Sequence, residues 1–324
     1  MQTATVLATP ATFGLFEIGT AEIGTAEIDG AGIDCAVLGR AEADRSGLAP
    51  ASAAELPGLA EIEEFYRVFG FVVLRGLVSE QLTARMEAQC LAIQGDVLAG
   101  RLPERYGSTK YLDDVDKIEK FVNYVEHVQE LSPAVLEAAT LPPLVAVIRR
   151  LIGAGAWLNS SDKAGIVYQD SRPGRESGYT RIGWHSDWQA MPSVDVWPGL
   201  AFTFHLDATS PANGFLRVVP GSHNWATPAP YRNVNNVAVP DDARPAGGYT
   251  DAPAPVVMPL GFEKVPGEVA VYCERGDVIL HDGYLWHSAT RATDDGGVRR
   301  HVRGGYFGGE EANYRPQFLK NAAR

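Results

Sequence analysis

A change of pattern at Gly155 limits the fold most. From there to residue 307 the chain breaks into short apolar or alternating segments, with Gly, Pro, Asn and Asp gathered between them. They run over Trp157–Ser161, Gly165–Gln169, Ile182–Trp188, Leu200–Leu206, Phe215–Val219, Val269–Cys273, Asp277–His281, Leu285–Thr290 and Arg300–Phe307. Such lengths suit strands rather than helices. Many short strands joined by turn-rich loops predict two sheets wrapped around one interior, a jelly-roll or related double sheet.

The helices gather ahead of this region. Leu59, Ile62, Phe65, Tyr66 and Phe69 have helical spacing, and Gly70 stops that helix before a buried strand, Phe71–Arg75. Ser79 is an N-cap for a helix reaching about Leu98, and Ser132-Pro133 starts another. A further helix, about Pro143 to Ile152, closes at Gly153. The fold class expected is α+β, with flanking N-terminal helices on a β core. Residues 1–55, rich in Ala, Gly and Thr and carrying the five-residue tandem Gly19–Ile23 and Gly24–Ile28, read as a loosely ordered arm. Residues 56–324 then form one domain, with the Pro-rich stretch 224–266 as a lid or substrate loop.

Two of the strand segments carry chemistry. Trp184-His185-Ser186-Asp187 places an imidazole and a carboxylate two residues apart, hence on one face of a strand at ~7 Å. His287 lies 100 residues beyond Asp187, and Arg299, Arg300 and Arg303 open the next strand. Alternation puts Arg299, His301 and Arg303 on one face of that strand and Arg300 on the other. Two histidines and one carboxylate make the face expected of a non-haem Fe(II) oxygenase. A lone strand histidine is more often a core residue; the combination raises these three above His127, His205, His223 and His301. A zinc hydrolase leaves the arginines unexplained, and a non-catalytic β-helix binding protein leaves the intact triad unexplained.

The rest of the composition narrows partners. A net charge of −12 argues against a nucleic-acid binder. No run approaches 18 apolar residues, so no membrane span is expected, and the N-terminus lacks signal-peptide character. Cys35, Cys90 and Cys273 are scattered and form no CxxC pair, which fits a reducing, cytoplasmic setting. No phosphate-cradling glycine motif is present.

Over residues 65–310 the chain resembles the phytanoyl-CoA dioxygenase family of Fe(II)- and 2-oxoglutarate-dependent oxygenases. The resemblance rests on Gly70-Phe-Val-Val-Leu-Arg-Gly76, Trp184-His-Ser-Asp187, Asn213-Gly-Phe-Leu-Arg-Val-Val-Pro-Gly-Ser-His223, Gly276-Asp-Val-Ile-Leu-His281 and His287 with the arginines after it. The Asn213–His223 run is the specific part. Val167–Arg172 leading into Trp184-His185 looks most like the ectoine hydroxylase branch. The resemblance implies a double-stranded β-helix (cupin-like) core and His185, Asp187 and His287 as iron ligands, with 2-oxoglutarate and O2 taking the remaining positions. It implies an arginine for the far carboxylate of 2-oxoglutarate, Arg299 or the adjacent Arg300, because the spacing to His287 is one residue longer than the family's. A hydroxyl expected two residues after the distal histidine is replaced by Ala289, which leaves Ser288 or Thr290 to assist. Gln169 is a further candidate contact. Asp187 favours hydroxylation over halogenation, since related halogenases replace this carboxylate. The function implied is hydroxylation of an unactivated C–H bond of a small metabolite with release of succinate and CO2. Desaturation, epoxidation or cyclisation on the same core is the alternative.

Overall fold

The structure is a computed structural model. It describes residues 58–107, 121–160, 165–172, 183–190, 199–228, 246–259, 261–290, 292–294 and 296–308, together with isolated strand segments at 15–17, 23–27, 34–38, 112–113, 233–234 and 237–238. Most of residues 1–55, expected as an arm, lie outside the described residues.

Among the described residues four α-helices lie in the first half of the chain, interleaved with two strands of the main sheet: α1 (Leu59–Phe69), α2 (Glu80–Leu98), α3 (Pro133–Ala139) and α4 (Pro142–Ile152). Their ends follow from local chemistry. Ser79 and Ser132 each accept a hydrogen bond from a first-turn amide, Leu82 and Val135 respectively. Gly70 ends α1 at φ +79, and a Cβ there would meet the His223 ring at 2.5 Å. That position therefore demands glycine twice over.

The main sheet runs in the order β1 (Phe71–Arg75), β7 (Val278–Asp282), β4 (Gly199–His205), β9 (Arg299–Phe307), β3 (Val167–Ser171) and β2 (Tyr124–Val125), antiparallel throughout. Leu15–Glu17 adds parallel to β1, and Trp157–Leu158 pairs with the end of β9. A smaller antiparallel sheet has the order β6 (Val269–Val271), β5 (Leu216–Val218), β8 (His287–Ala289). A one-residue bridge between His185 and His287 extends it.

The registers sort the two faces of the main sheet. Leu200, Phe202 and Phe204 of β4 share one face with Val278 and Leu280 of β7, Val72 and Leu74 of β1, and Val302 of β9. These residues join Ile62, Phe65, Met86, Val135 and Val147 of the helices in one buried core. The other face carries Gln169, Arg299, His301, Arg303, Thr203, His205 and His281. One sheet thus presents an apolar face to the helices and a polar face to the site.

One expectation changes. Within 224–266, expected as a lid or substrate loop, Thr227–Pro228 pairs with Ala246–Gly247, and Asn233–Val234 with Val237–Ala238. The predicted strand Ile182–Trp188 reduces, among the described residues, to the bridge at His185, because a 3-10 turn begins at Asp187.

Candidate metal centre

His287 enters from β8 and His185 from the bridge opposite it, joined by His185 N–H to His287 C=O at 3.0 Å and the reverse at 2.8 Å. Each ring is oriented by its own backbone. The Nδ1–H of His185 donates to Gly183 C=O and that of His287 to Leu285 C=O, both at 2.9 Å. A carbonyl can only accept, so both protons sit on Nδ1 and both Nε2 lone pairs remain for a ligand.

Asp187 completes the set from the first residue of the turn, with Oδ1 3.9 Å from His185 Nε2 and 3.6 Å from His287 Nε2. The turn after His185, rather than strand alternation, therefore directs the carboxylate toward both imidazoles. The three ligand atoms lie within 4.8 Å of one another. That is close enough for one divalent cation, with bonds of about 2.0–2.2 Å, to draw them together. Burial, aided by neighbouring imidazoles, pushes the pKa of His185 and His287 down to about 4, so both are neutral donors near pH 7. Burial opposes ionisation of Asp187, but His287, His281, His185 and Arg303 outweigh it and hold its pKa below the usual value.

His281 stands beside the triad, its ring 4.4 Å from that of His287 and its Nδ1 3.9 Å from Asp187 Oδ2. His223 lies elsewhere. Its Nε2 bonds Arg67 C=O, while Ser222 Oγ accepts from Trp286 N–H at 2.8 Å and Val219 N–H donates to Trp286 C=O. The Pro-Gly-Ser-His turn thereby ties the end of α1 to the residue preceding His287.

The two arginine candidates separate sharply. Arg300 points to the helical side, bonded to both oxygens of Asp207 and paired with Glu87 at 2.6 Å. Its charge is already met, and it does not reach the site. Arg299 is buried on the site face, and among the described residues it makes no ion pair. Its Nε has no partner, and its Nη1 reaches only Thr290 C=O at a long 3.5 Å. Burial pushes its pKa down to about 10. The Asn213-Gly214 turn sets it in place: Asn213 Nδ2 donates to Val298 C=O, and a Gly214 Cβ would come within 3.0 Å of Arg299 Nη1.

Ser288 and Thr290 also divide. Ser288 pairs in register with Arg217 on the face away from His287 and accepts a bond from Arg217 Nη2 at 3.3 Å. It is removed from the candidate contacts by the same alternation that aims His287 inward. Thr290 lies beside Arg299 with its Oγ1 buried and unpartnered. Gln169 is on the site face, opposite His301, and donates to Ser171 Oγ. The sequence reading passed over His205 and His301, which face each other across β4 and β9 in the same deep region. Burial first, then Arg299, pushes His205 down to about 4 and His301 well below its usual value. The signal was present, because His301 falls in the alternation of Arg299 and Arg303.

A buried guanidinium with no counter-ion among the described residues, an unpartnered hydroxyl next to it and a two-histidine, one-carboxylate triad together fit a cation and a dicarboxylate. Residues 66–302 match the family described as phytanoyl-CoA dioxygenase. The chain belongs to the phytanoyl-CoA dioxygenase family. Fe(II) and 2-oxoglutarate are this family's metal and cosubstrate. The chain is 28% identical over 167 residues to an ectoine dioxygenase of Nocardia farcinica, a match covering 49% of each protein, so it spans about half the length of that curated relative. Among solved structures it resembles EctD from S. alaskensis with 2-oxoglutarate and 5-hydroxyectoine (TM-score 0.53, 18% identity, 82% of this chain and 79% of that one). It also resembles SnoK, an alpha-ketoglutarate-dependent carbocyclase of nogalamycin biosynthesis (TM-score 0.52, 22% identity, 81% and 88%). At these identities the likeness is one of fold.

Proposed function

We propose that this chain is an Fe(II)- and 2-oxoglutarate-dependent dioxygenase that hydroxylates an unactivated C–H bond of a small-molecule metabolite, releasing succinate and CO2. The observation that carries this reading is the pairing of the His185–Asp187–His287 triad with Arg299, a buried cation lacking an ion-pair partner among the described residues. In this reading the triad holds Fe(II), and Arg299, with Thr290 beside it, holds the far carboxylate of 2-oxoglutarate. When bound, Fe(II) and 2-oxoglutarate supply the activation of O2 that carbon hydroxylation needs.

The chain's own residues then have definable tasks. Gly183 and Leu285 carbonyls fix the imidazole tautomers, so the donors are preorganised before metal arrives. Arg299 orients the cosubstrate by two-point, charge-assisted bonding that a point charge such as lysine does not match. Trp188, next to Asp187 in the chain, is buried and packs on Tyr284 with the rings 5.9 Å apart. Asp187 supplies a carboxylate where related halogenases have a small residue, which supports hydroxylation.

Anaerobic titration of the Fe(II)-loaded protein with 2-oxoglutarate, followed by admission of oxygen, tests the reading. Fe(II)-dependent binding and succinate release are expected. A protein that binds 2-oxoglutarate no better with Fe(II) than without it does not perform this chemistry. Product analysis with a turned-over substrate distinguishes hydroxylation from desaturation, epoxidation or cyclisation.

A further inference from the structure

The two histidines of the triad meet at an isolated bridge, with only the pair of backbone hydrogen bonds at 3.0 and 2.8 Å between them. Among the described residues no ladder continues past it, since the turn at Asp187 follows at once. How the two imidazoles stand relative to each other therefore depends on what packs behind them.

The reverse side carries a row of three side chains. Across β5, β8 and the bridge, Val218, His287 and His185 stand side by side. Alternation turns the next row, Arg217, Ser288 and Trp184, to the opposite face. Arg217 is buried there and touches both of the others. Its guanidinium lies 4.8 Å over the Trp184 ring, and its Nη2 donates to Ser288 Oγ at 3.3 Å. One guanidinium thus holds the residue before His185 and the residue after His287.

Segment 261–268 anchors this group from outside the sheet. Arg217 Nη2 also donates to Phe262 C=O at 3.1 Å, and Nη1 meets the two oxygens of Glu268 at 3.2 and 3.4 Å. Trp184 reaches the same segment, its backbone N–H donating to Gly261 C=O at 3.0 Å and its indole N–H to Glu263 C=O at 2.7 Å. Glu268 in turn accepts from Val265 N–H at 2.8 Å. Stacking on a ring while donating along its edge to several acceptors is a task for a planar guanidinium; lysine supplies only a point charge. A buried ion pair adds little net stability over well-packed apolar side chains, so what this one contributes is geometry.

We propose that Arg217 is a positioning residue for the metal centre: through Trp184 and Ser288 it fixes the placement of the His185 and His287 imidazoles relative to each other. This rests on the assignment of His185, Asp187 and His287 to a divalent metal. Arg217 points away from the triad and acts from the far side of the segments that carry two of its three members.

The test titrates the protein with Co(II), an air-stable stand-in for Fe(II) whose visible d–d absorption reports ligand geometry. The double variant Arg217→Met/Glu268→Met removes the charge pair without stranding either member, and should unfold at about the urea midpoint of the wild type. Its Co(II) affinity should nevertheless fall at least about tenfold, with a shifted d–d band, as expected when a group that orients metal ligands is lost. Arg217→Lys keeps the charge pair but not the stacked fork, and should lie between the two. Arg300→Met, whose ion pairs lie on the helical side, should lower stability yet leave affinity within about twofold and the band unchanged. Wild-type affinity and band in the double variant overturn the proposal. Should the double variant not fold, the same result in Arg217→Lys overturns it. A loss of affinity in Arg300→Met equal to that in the Arg217 variants also overturns it, because the effect is then one of stability alone. A wild type that binds Co(II) no tighter than Asp187→Ala refutes the underlying triad assignment, a result visible before any Arg217 variant is read.

Discussion

Replacing Arg299 by Met should make the ligand-free protein more stable and abolish its response to 2-oxoglutarate. Burial lowers the pKa of this guanidinium well below the usual arginine value, to about 10. That corresponds to about 3 kcal/mol of unfavourable free energy at neutral pH. The sign follows from linkage. A base whose folded pKa is depressed costs stability wherever it is charged in both states, here at every pH below about 10, and the cost fades only as pH rises toward the unfolded pKa. Methionine fills a similar volume without charge and gives up only the 3.5 Å contact to Thr290 C=O. A gain of about 1–3 kcal/mol, a few degrees in Tm, is expected for the ligand-free variant. Losing the two-point carboxylate bond should weaken 2-oxoglutarate binding by about 2–5 kcal/mol, thirtyfold or more. Arg300→Met is the contrast: it takes from Asp207 its two-point guanidinium partner and from Glu87 one of its two arginines, so stability falls by about 1–3 kcal/mol while 2-oxoglutarate binds as before. Urea unfolding of the three proteins, with and without metal and 2-oxoglutarate, reads both effects. An Arg299→Met protein that is less stable than wild type yet keeps its 2-oxoglutarate affinity would refute the reasoning.

Asp187→Ala should lower Fe(II) affinity by more than about a hundredfold and remove Fe(II)-dependent 2-oxoglutarate binding; full retention, measured by titration calorimetry, would sink the ligand assignment. Asp282, pushed up to about 7 by burial, accepts from Tyr249 Oη at 2.9 Å and from Tyr284 N–H at 2.8 Å. The folded protein binds an extra proton there between about pH 4 and 7, so stability falls as pH rises through that window and levels above it. Asp282→Asn should flatten this segment of the pH–stability curve, and an unchanged slope counts against a raised pKa at Asp282. Ser222→Ala leaves the buried Trp286 amide without its acceptor and should cost about 1–3 kcal/mol in chemical denaturation. A cost under about 0.5 kcal/mol would show that the turn does not brace the strand carrying His287.

Much of the fold was legible because local rules and tertiary demands agree. Ser79, Ser132 and Gly70 mark helix ends by chemistry confined to neighbouring residues. β4 alternates Leu200, Phe202 and Phe204 with Ala201, Thr203 and His205, and the sheet uses both sets. One misreading has a different cause. The segment 182–188 has strand-like composition, yet pairing stops at His185 because Asp187 begins a turn. Within 224–266 the two-residue pairings are too short for periodicity to reveal, so the sequence shows a loop there without its internal pairing.

The sequence by itself singled out His185, Asp187 and His287 as a candidate metal-binding group, the turn Asn213–His223 beside it, and the sharing of one face by Arg299, His301 and Arg303. These depend on residue identity, spacing and a period of two, all carried along the chain. Only the tertiary structure decided that Arg299 faces the site while Arg300 meets Asp207 and Glu87, and that Ser288 turns away to Arg217. It alone separated a buried Arg299 from a half-buried Arg303. Periodicity says which residues share a face, but charge balance and depth come from whatever distant segments pack against that face.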